Sequence, residues 1–331
     1  MTGLSDSFQR PINYLRVAVT DRCNLRCVYC MPEEGVKWMS HVDILSYEEL
    51  LTIIRASAEL GISKIRLTGG EPLVRLGITD FIQGIAQIPG IEDIAMTTNA
   101  IFLAKNAADL KKAGLHRVNV SLDTLKPERF KKICRGADEG GDINNVLAGI
   151  KSAQDVGLNP VKINVVVMAG VNDDEILDFA RKTVDEEWHV RFIELMPFTG
   201  HDGQTPAGLT TRELKHRIDP LGKMEPYKHQ WGNGPAKYYK LPDAKGTIGF
   251  ISALSEHFCF SCNRLRLTAD GKLRPCLMSE TMIDLREPMR GGISGQKLKE
   301  LIQQAVTAKP MEHHLNAGNK PNDRPFCQVG G

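Results

Sequence analysis

The sequence predicts an α/β protein built as an incomplete TIM-like barrel with a C-terminal α+β extension. Two observations predict it. Over the first two thirds of the 331 residues, short β-branched runs alternate with polar or glycine-containing loops and amphipathic segments, which is the pattern of βα units in a parallel sheet. After residue 197 the pattern changes to shorter alternating runs. Six βα units are too few for a closed eight-stranded barrel, and none carries a dinucleotide-binding fingerprint.

The elements of the barrel follow from the pattern in chain order. The six predicted strands cover residues 15–20, 64–68, 93–98, 117–122, 161–168 and 189–195. The best-marked helix begins after Ser46, which with Glu49 has the spacing of a capping box, and runs to about Glu59. The other predicted helices cover residues 79–87, 103–113, 143–156 and 173–185. In such a barrel the chemistry lies at the carboxyl ends of the strands.

We divide the chain into a barrel, residues 1–197, and a C-terminal module, residues 198–331. The module begins with the Gly/Pro-rich stretch 198–209, and Thr210 with Glu213 can cap a short helix after it. Residues 223–251 alternate like antiparallel strands, and 294–307 is the last long helical pattern. We expect this module to be too short-stranded to continue the barrel.

Composition and charge bound the function classes. The chain has 42 Lys and Arg against 40 Asp and Glu, a formal net charge of +2, which does not call for nucleic acid or an anionic membrane as a partner. The first ten residues lack the apolar stretch of a signal peptide, and no apolar run is long enough to span a membrane. We therefore expect a cytoplasmic protein, in which the eight cysteines are metal ligands more readily than disulfides.

The first metal candidate is the run from Cys23 to Cys30, in which Cys23, Cys27 and Cys30 have three and then two residues between them. Short spacings let one loop bind several corners of an iron-sulfur cluster, and three ligands for four irons leave one iron open. Structural zinc takes four protein ligands, and no fourth Cys or His lies within about ten residues of this loop. Zinc with a distant fourth ligand and ordinary reduced thiols remain the alternatives.

The second candidate lies in the C-terminal module. Cys259 and Cys262 have two residues between them, and Asp270-Gly271 is a hairpin turn that would bring Cys276 back beside them. Either zinc, completed by a fourth ligand such as His257 or Cys327, or a second cluster with an open iron fits this set.

The spacing of the first set, with aromatic Tyr29 before the last cysteine, resembles the motif of radical S-adenosylmethionine (SAM) enzymes. The resemblance implies a radical SAM barrel whose open iron binds the amino and carboxylate groups of SAM. A reduced cluster would then split the sulfonium and release a 5'-deoxyadenosyl radical.

The order of several motifs narrows the resemblance. These are Thr20-Asp21-Arg22-Cys23, the run Arg66 to Pro72, Asn119 to Asp123, Arg191 to Met196, Phe258-Cys259, Cys262 to Arg266, and the final Gly330-Gly331. From about Asp6 to the end, the chain resembles the GTP 3',8-cyclase family of molybdenum cofactor biosynthesis. Two departures are visible: Ala100 stands where the family usually has Gly, and Leu76-Gly77 replaces charged residues.

This resemblance implies a role for each matching position. Cys23, Cys27 and Cys30 would hold one 4Fe-4S cluster, and Cys259, Cys262 and Cys276 a second one on the substrate side. The SAM site would be lined by Tyr29, Gly70, Ser121 and Met196. GTP would be bound by Arg16, Arg66, Thr97, Lys162, Arg264 and Arg266.

The residues support an anionic substrate independently of the family. Strands of a parallel sheet should be almost continuously apolar, because both faces are buried. Cations nevertheless lie in the predicted strands, among them Arg16, Lys64, Arg66, Lys162 and Arg191. A triphosphate needs several cations to replace its water. No Gly-x4-Gly-Lys-Ser/Thr sequence is present, so the phosphates are not held by a P-loop.

The function implied is conversion of GTP to 3',8-cyclo-7,8-dihydroguanosine 5'-triphosphate, the first step of molybdenum cofactor biosynthesis. An external electron donor would be required, and the next pathway enzyme, cyclic pyranopterin monophosphate synthase, would take the product downstream. A homodimer is compatible with this proposed function. The alternatives are a radical SAM peptide-modifying enzyme with an auxiliary cluster and a zinc-stabilised nucleic-acid-binding protein.

Overall fold

The computed structural model describes residues 3–135, 141–196, 207–228, 231–313 and 324–329. Within them, twelve strands form one sheet: β1 (Tyr14–Ala18), β2 (Lys64–Thr68), β3 (Asp93–Thr98), β4 (Arg117–Ser121), β5 (Lys162–Val167), β6 (His189–Glu194), β7 (Glu225–Pro226), β8 (Lys237–Lys240), β9 (Thr247–Ile251), β10 (Arg264–Leu267), β11 (Lys272–Arg274) and β12 (Ile283–Asp284). The α-helices are α1 (Tyr47–Glu59), α2 (Ile78–Ala86), α3 (Leu103–Lys112), α4 (Pro127–Cys134), α5 (Ile143–Asp155), α6 (Ile176–Asp185), α7 (Thr211–Ile218), α8 (Arg286–Arg290) and α9 (Gly295–Thr307).

The six predicted barrel strands are confirmed as β1 to β6, and they pair in parallel in chain order. Their helices also lie where the pattern placed them. The capping box of α1 is complete: the Ser46 hydroxyl accepts the Glu49 N–H, and the Glu49 carboxylate accepts the Ser46 N–H at 2.7 Å. The apolar face of α1 buries Leu50, Ile53 and Ile54 against the sheet.

The expectation that the C-terminal module cannot continue the barrel is wrong. β9 pairs in parallel with β6, and β10 pairs in parallel with β1, so the module extends the parallel sheet at both of its edges. Antiparallel strands β8 and β7 follow on one side, and β11 and β12 on the other. The strand order stays open, because β7 and β12 lie at its two edges. The incomplete barrel is confirmed, and both of its outer parallel strands come from the C-terminal part.

Three expectations fall wholly or partly outside the described residues. Residue 197, at which we divide the chain, is one of them, so the division at 197 stays a prediction. Most of the Gly/Pro-rich stretch 198–209 and the final Gly330-Gly331 are also outside. In the described part of the chain, no helix is both long enough and apolar enough to span a membrane.

Candidate active site

The loop that carries the first three cysteines follows β1, and the end of α4 holds it in place. The Arg26 N–H donates to the carbonyl oxygen of Cys134 at 2.8 Å, and the Val28 N–H donates to that of Ile133 at 2.9 Å. The side chain of Arg135 adds a bond to the Arg26 carbonyl at 3.1 Å. The backbone of the loop is therefore fixed by a helix of the barrel and not by its own turns alone.

The thiols of Cys23, Cys27 and Cys30 are half-buried, and none is in a disulfide. Burial raises the pKa of Cys23. A hydrogen bond with Cys134 and burial raise the pKa of Cys27, and a hydrogen bond with Cys327 and burial raise that of Cys30. Thiols of this kind stay protonated until a metal displaces the protons, since the thiolate is the ligand. Three half-buried thiols on one loop fit a cluster with one open iron.

Gly70 brings the backbone after β2 against the cysteine loop. Its N–H donates to the carbonyl oxygen of Thr20 at 2.8 Å, and a Cβ at this position would collide with the carbonyl oxygen of Arg22. Gly70 does not line the cavity described below. In this structure its close approach is to the cysteine loop, and its contact with SAM stays a prediction.

Gly70→Ala should displace the cysteine loop, because the new methyl group would collide with backbone atoms, which cannot move aside as a flexible side chain can. We expect a destabilisation above ~3 kcal/mol in thermal or denaturant unfolding, together with loss of iron from the first site. Gly295→Ala is the control: nothing lies within 4 Å of a Cβ there, so the change should cost nothing measurable. Equal stability and iron content in the two variants would contradict the steric argument.

A cavity of about 260 Å³ joins the two cysteine regions. Eleven of the predicted site residues line it: Arg16, Tyr29, Arg66, Thr97, Ser121, Met196, Cys259, Cys262, Arg264, Arg266 and Cys276. The other five do not line it: Cys23, Cys27, Cys30 and Gly70 lie on the loop beside Tyr29 or against it, and Lys162 lies in a separate pocket. The structure thus places the predicted SAM contacts other than Gly70, and the predicted GTP contacts other than Lys162, on the walls of one cavity.

Lys162 lies in a smaller pocket that adjoins this cavity at the amino-terminal end of the strands. It shares the pocket with Arg66, Arg117 and Arg191, and its Nζ lies 5.4 Å from the centre of the Trp231 ring. Burial, reinforced by the neighbouring arginines, lowers the pKa of Lys162 to about 5. A buried lysine in this environment gains its charge most readily when an anion binds beside it.

Three arginines of the cavity wall stand side by side on adjacent strands. Arg16 on β1 is in register with Arg266 on β10 and with Arg66 on β2, and neighbouring strands lie only about 4.8 Å apart. Burial lowers the pKa of Arg16, and repulsion from Arg266 and Arg66 lowers it further. Like charges directly opposite destabilise a sheet. The row is therefore suited to a polyanion that lies across three strands.

Tyr29 is fixed in the cavity by a buried carboxylate. Its hydroxyl donates to Asp123 at 2.7 Å, and the other carboxylate oxygen accepts the Val166 N–H, also at 2.7 Å. Burial raises the pKa of Asp123 to about 6. Asp123 thus sets the position of the aromatic ring that precedes the last cysteine of the loop.

The predicted hairpin brings the second three cysteines together. β10 and β11 pair antiparallel around Asp270-Gly271, so that Cys276 lies on the cavity wall with Cys259 and Cys262. Burial alone would raise the pKa of Cys262, but the charges of Arg264 and Lys309 outweigh it and lower the pKa to about 6. These two charges therefore favour the thiolate, which is the form that binds iron. Within the described ranges, no three His, Cys, Asp or Glu side chains converge as ligands of a single metal ion.

Sequence reasoning missed several polar residues of the site. Tyr14, Asn119, Asn164 and Asp123 line the cavity from the barrel strands and the segment after β4, and Lys309 lines it from beyond α9. The signal was present for the first four, because polar and acidic side chains in or just after parallel strands are as unexpected as basic ones. Lys309 follows a helix and precedes proline, so the sequence gives no sign that it is buried.

A three-thiol loop after the first strand of an incomplete parallel barrel, beside a cavity at the carboxyl ends of the strands, defines a radical SAM protein. Residues 17–183 match the family described as Radical SAM superfamily, and residues 188–315 match Molybdenum Cofactor Synthesis C. The chain belongs to the GTP 3',8-cyclase family within that superfamily. It is 50% identical over 331 residues to the GTP 3',8-cyclase of Pelotomaculum thermopropionicum, covering 99% of this chain and 100% of the relative. It is also 50% identical to that of Moorella thermoacetica, again covering 99% and 100%.

Solved structures agree on the fold. SuiB of Streptococcus suis, in a crystal structure bound to its precursor peptide SuiA, superposes with a TM-score of 0.63 at 14% identity, covering 97% of this chain and 77% of that one. At this identity the likeness extends to the fold alone. Neither a peptide-modifying enzyme nor a zinc-stabilised nucleic-acid-binding protein is favoured beside the full-length relatives.

Proposed function

We propose that this chain converts GTP to 3',8-cyclo-7,8-dihydroguanosine 5'-triphosphate, the first step of molybdenum cofactor biosynthesis. The names of its full-length relatives and the Molybdenum Cofactor Synthesis C match support this activity. The observation that carries the proposal is the single cavity wall shared by Tyr29, the in-register arginines and the second cysteine set. A nucleotide in this space would reach from one cysteine region to the other.

The cysteines fit the two cofactors required. Cys23, Cys27 and Cys30 would hold a 4Fe-4S cluster with SAM on its open iron, and Cys259, Cys262 and Cys276 would hold a second 4Fe-4S cluster beside the substrate. When bound, the reduced first cluster and SAM would supply the 5'-deoxyadenosyl radical, which would leave as 5'-deoxyadenosine with the 3' hydrogen of GTP. C3' would then bond to C8 of the guanine, and one electron and one proton would complete the product.

The side chains of the chain itself bind, orient and exclude water. Tyr29, Ser121 and Met196 line the cavity near the first cysteine loop, where SAM would lie. Arg264 and Arg266 project into the cavity together, as residues two apart on one strand should. With Arg16 and Arg66 they would bind the triphosphate, and the Thr97 hydroxyl, which is buried and has no hydrogen-bond partner among the described residues, could bind the nucleotide. Lys162, in the adjoining pocket, would meet the phosphate furthest from the ribose.

Other partners follow from the chemistry proposed. An external electron donor must reduce the first cluster, and cyclic pyranopterin monophosphate synthase would act on the product. A homodimer and a cytoplasmic location complete the proposal.

The test is anaerobic incubation of the reconstituted protein with SAM, dithionite and each nucleoside triphosphate in turn. GTP should give one product with the mass of GTP, because the hydrogen atom that passes from C3' to 5'-deoxyadenosine is replaced by one electron and one proton. One 5'-deoxyadenosine should form per product. Product formation from ATP, CTP or UTP at the same rate, or SAM cleavage without any GTP product, would refute the proposed reaction.

A further inference from the structure

Two buried cations bind the backbone around the second cysteine set. The first is Arg10, which is 6% exposed and forms an ion pair with buried Asp6 at 2.6 Å. Its guanidinium donates to the carbonyl oxygens of Cys259 at 2.6 Å, Met311 at 2.8 Å and Pro310 at 2.6 Å. Arg10 therefore ties the N-terminal segment to the first cysteine of the set and to the stretch after α9.

The second cation is Lys309, which is 3% exposed. Its ammonium group donates to the carbonyl oxygens of Arg264, two residues beyond Cys262, at 2.9 Å and of Pro275, immediately before Cys276, at 2.6 Å. A single side chain thus links the two segments that bring these cysteines to the cavity. Burial lowers the pKa of Lys309, and the two thiols oppose this effect only in part.

The two cations differ in how their charge is compensated. The charge of Arg10 is neutralised by Asp6, whereas no carboxylate within the described ranges forms an ion pair with Lys309. An oxidised 4Fe-4S core bound by three thiolates has a net charge of about −1, and reduction by one electron makes the net charge more negative by one. Buried negative charge of this kind needs a nearby cation or a network of donors. Lys309 is placed to provide that charge together with Arg264, whose guanidinium lies 3.9 Å from the sulfur of Cys262, and Arg10 is not.

We propose that Lys309 is a positioning residue of the second cluster, which holds the segments of Cys262 and Cys276 together and stabilises the negative charge of the bound cluster. The inference rests on the proposed second cluster. Arg10 shares the mechanical role only. Removing the charge of Lys309 should weaken iron binding at the second site and make its reduction less favourable, while the first site stays unchanged.

The experiment compares Lys309→Met with Lys309→Arg and with Lys297→Met, which replaces an exposed lysine of α9 that pairs with Glu300 at 3.0 Å. All are reconstituted anaerobically beside the unmodified chain and a Cys259/Cys262/Cys276→Ala variant, which isolates the first cluster. Iron per chain and the midpoint potential of the second cluster, followed by electron paramagnetic resonance, are measured in each.

We expect about eight irons in the unmodified chain and in Lys297→Met, and about four in the triple variant. The iron content of Lys309→Met should fall to about four per chain. If the variant keeps the second cluster, the reduction equilibrium of that cluster should shift at least tenfold toward the oxidised form, which is about 59 mV for one electron. Lys309→Arg should resemble the unmodified chain. If Lys309→Met does not fold, Lys309→Gln, which keeps a donor and removes the charge, should show the same shift in potential.

Two results would overturn the inference. One is Lys309→Met with about eight irons and a potential within tenfold of the unmodified chain. The other is Lys309→Arg behaving like Lys309→Met, which would leave the charge without a role. Four irons in the unmodified chain would refute the proposed second cluster instead, so the two failures are distinguishable.

Discussion

Cys27→Ser should abolish the cleavage of SAM. A serine hydroxyl stays protonated near neutral pH and does not replace a thiolate as a ligand of iron. The loop would then offer two thiols, and the open iron at which SAM binds would not be held. Chromatography of 5'-deoxyadenosine after anaerobic incubation with dithionite measures the loss, which we expect to exceed ~1000-fold, because no other group of the chain supplies this chemistry.

The matched control is Cys134→Ser. Cys134 is buried beside Cys27 and shares a hydrogen bond with it, but it lies on α4 and outside the predicted ligand set. That variant should keep SAM cleavage, and Cys262→Ala should keep some cleavage without GTP product, since its defect is at the second set. Loss of cleavage in Cys134→Ser with the first cluster intact, or in Cys262→Ala with the first cluster intact, would contradict this division of roles.

The barrel strands were predictable because each carries its signal locally. A buried parallel strand needs β-branched residues over a short span, and the segments of β1 to β6 have them. The outer strand β9 is largely apolar, whereas two of the four residues of β10 are arginines. Their neighbours in the sheet are β6 and β1, and β1 is distant in sequence from β10. Strand partners at such distances are chosen by tertiary packing, which a local pattern does not contain. Helix α4 was missed because its eight residues begin with proline in a charged stretch.

The residues of the candidate site also fall into those that the local sequence predicts and those that it does not. Cysteine spacing and misplaced charges in strands are visible in one dimension, and so the ligand sets and most cavity cations were predicted. The contacts of Lys309 and Asp123 are visible only after folding, because each joins segments far apart in the chain. Ala100, where the family usually has glycine, has a φ of 64° and is fully buried. A left-handed conformation explains why glycine is preferred there.

The second large effect that we expect is on GTP binding, and it comes from the buried arginines of the cavity. Arg266 is 8% exposed, and burial together with the charge of Arg264 lowers its pKa to about 9. In register with it lies Arg16, itself opposite Arg66. Without an anion this row repels itself, so a triphosphate gains both direct charge-assisted hydrogen bonds and relief of that repulsion.

Arg266→Ala should therefore weaken GTP binding by roughly 1.5 to 3 kcal/mol, or about ten- to a hundredfold. Equilibrium binding to the anaerobic, reconstituted protein measures the change. Arg212→Ala, at an exposed position of α7, is the control and should leave GTP affinity within ~0.5 kcal/mol of the unmodified chain. Iron content should be the same in both variants, since neither residue is a predicted ligand.

Guanosine decides which part of the nucleotide Arg266 binds. The nucleoside has no phosphates, so its affinity should hardly change on Arg266→Ala if the guanidinium binds the triphosphate. The salt dependence should also fall for GTP in the variant, because one cation fewer is replacing counterions around the phosphates. An equal loss of affinity for GTP and guanosine would assign Arg266 to the base or to support of the second cysteine set. The in-register arginines would then have to be explained without a triphosphate.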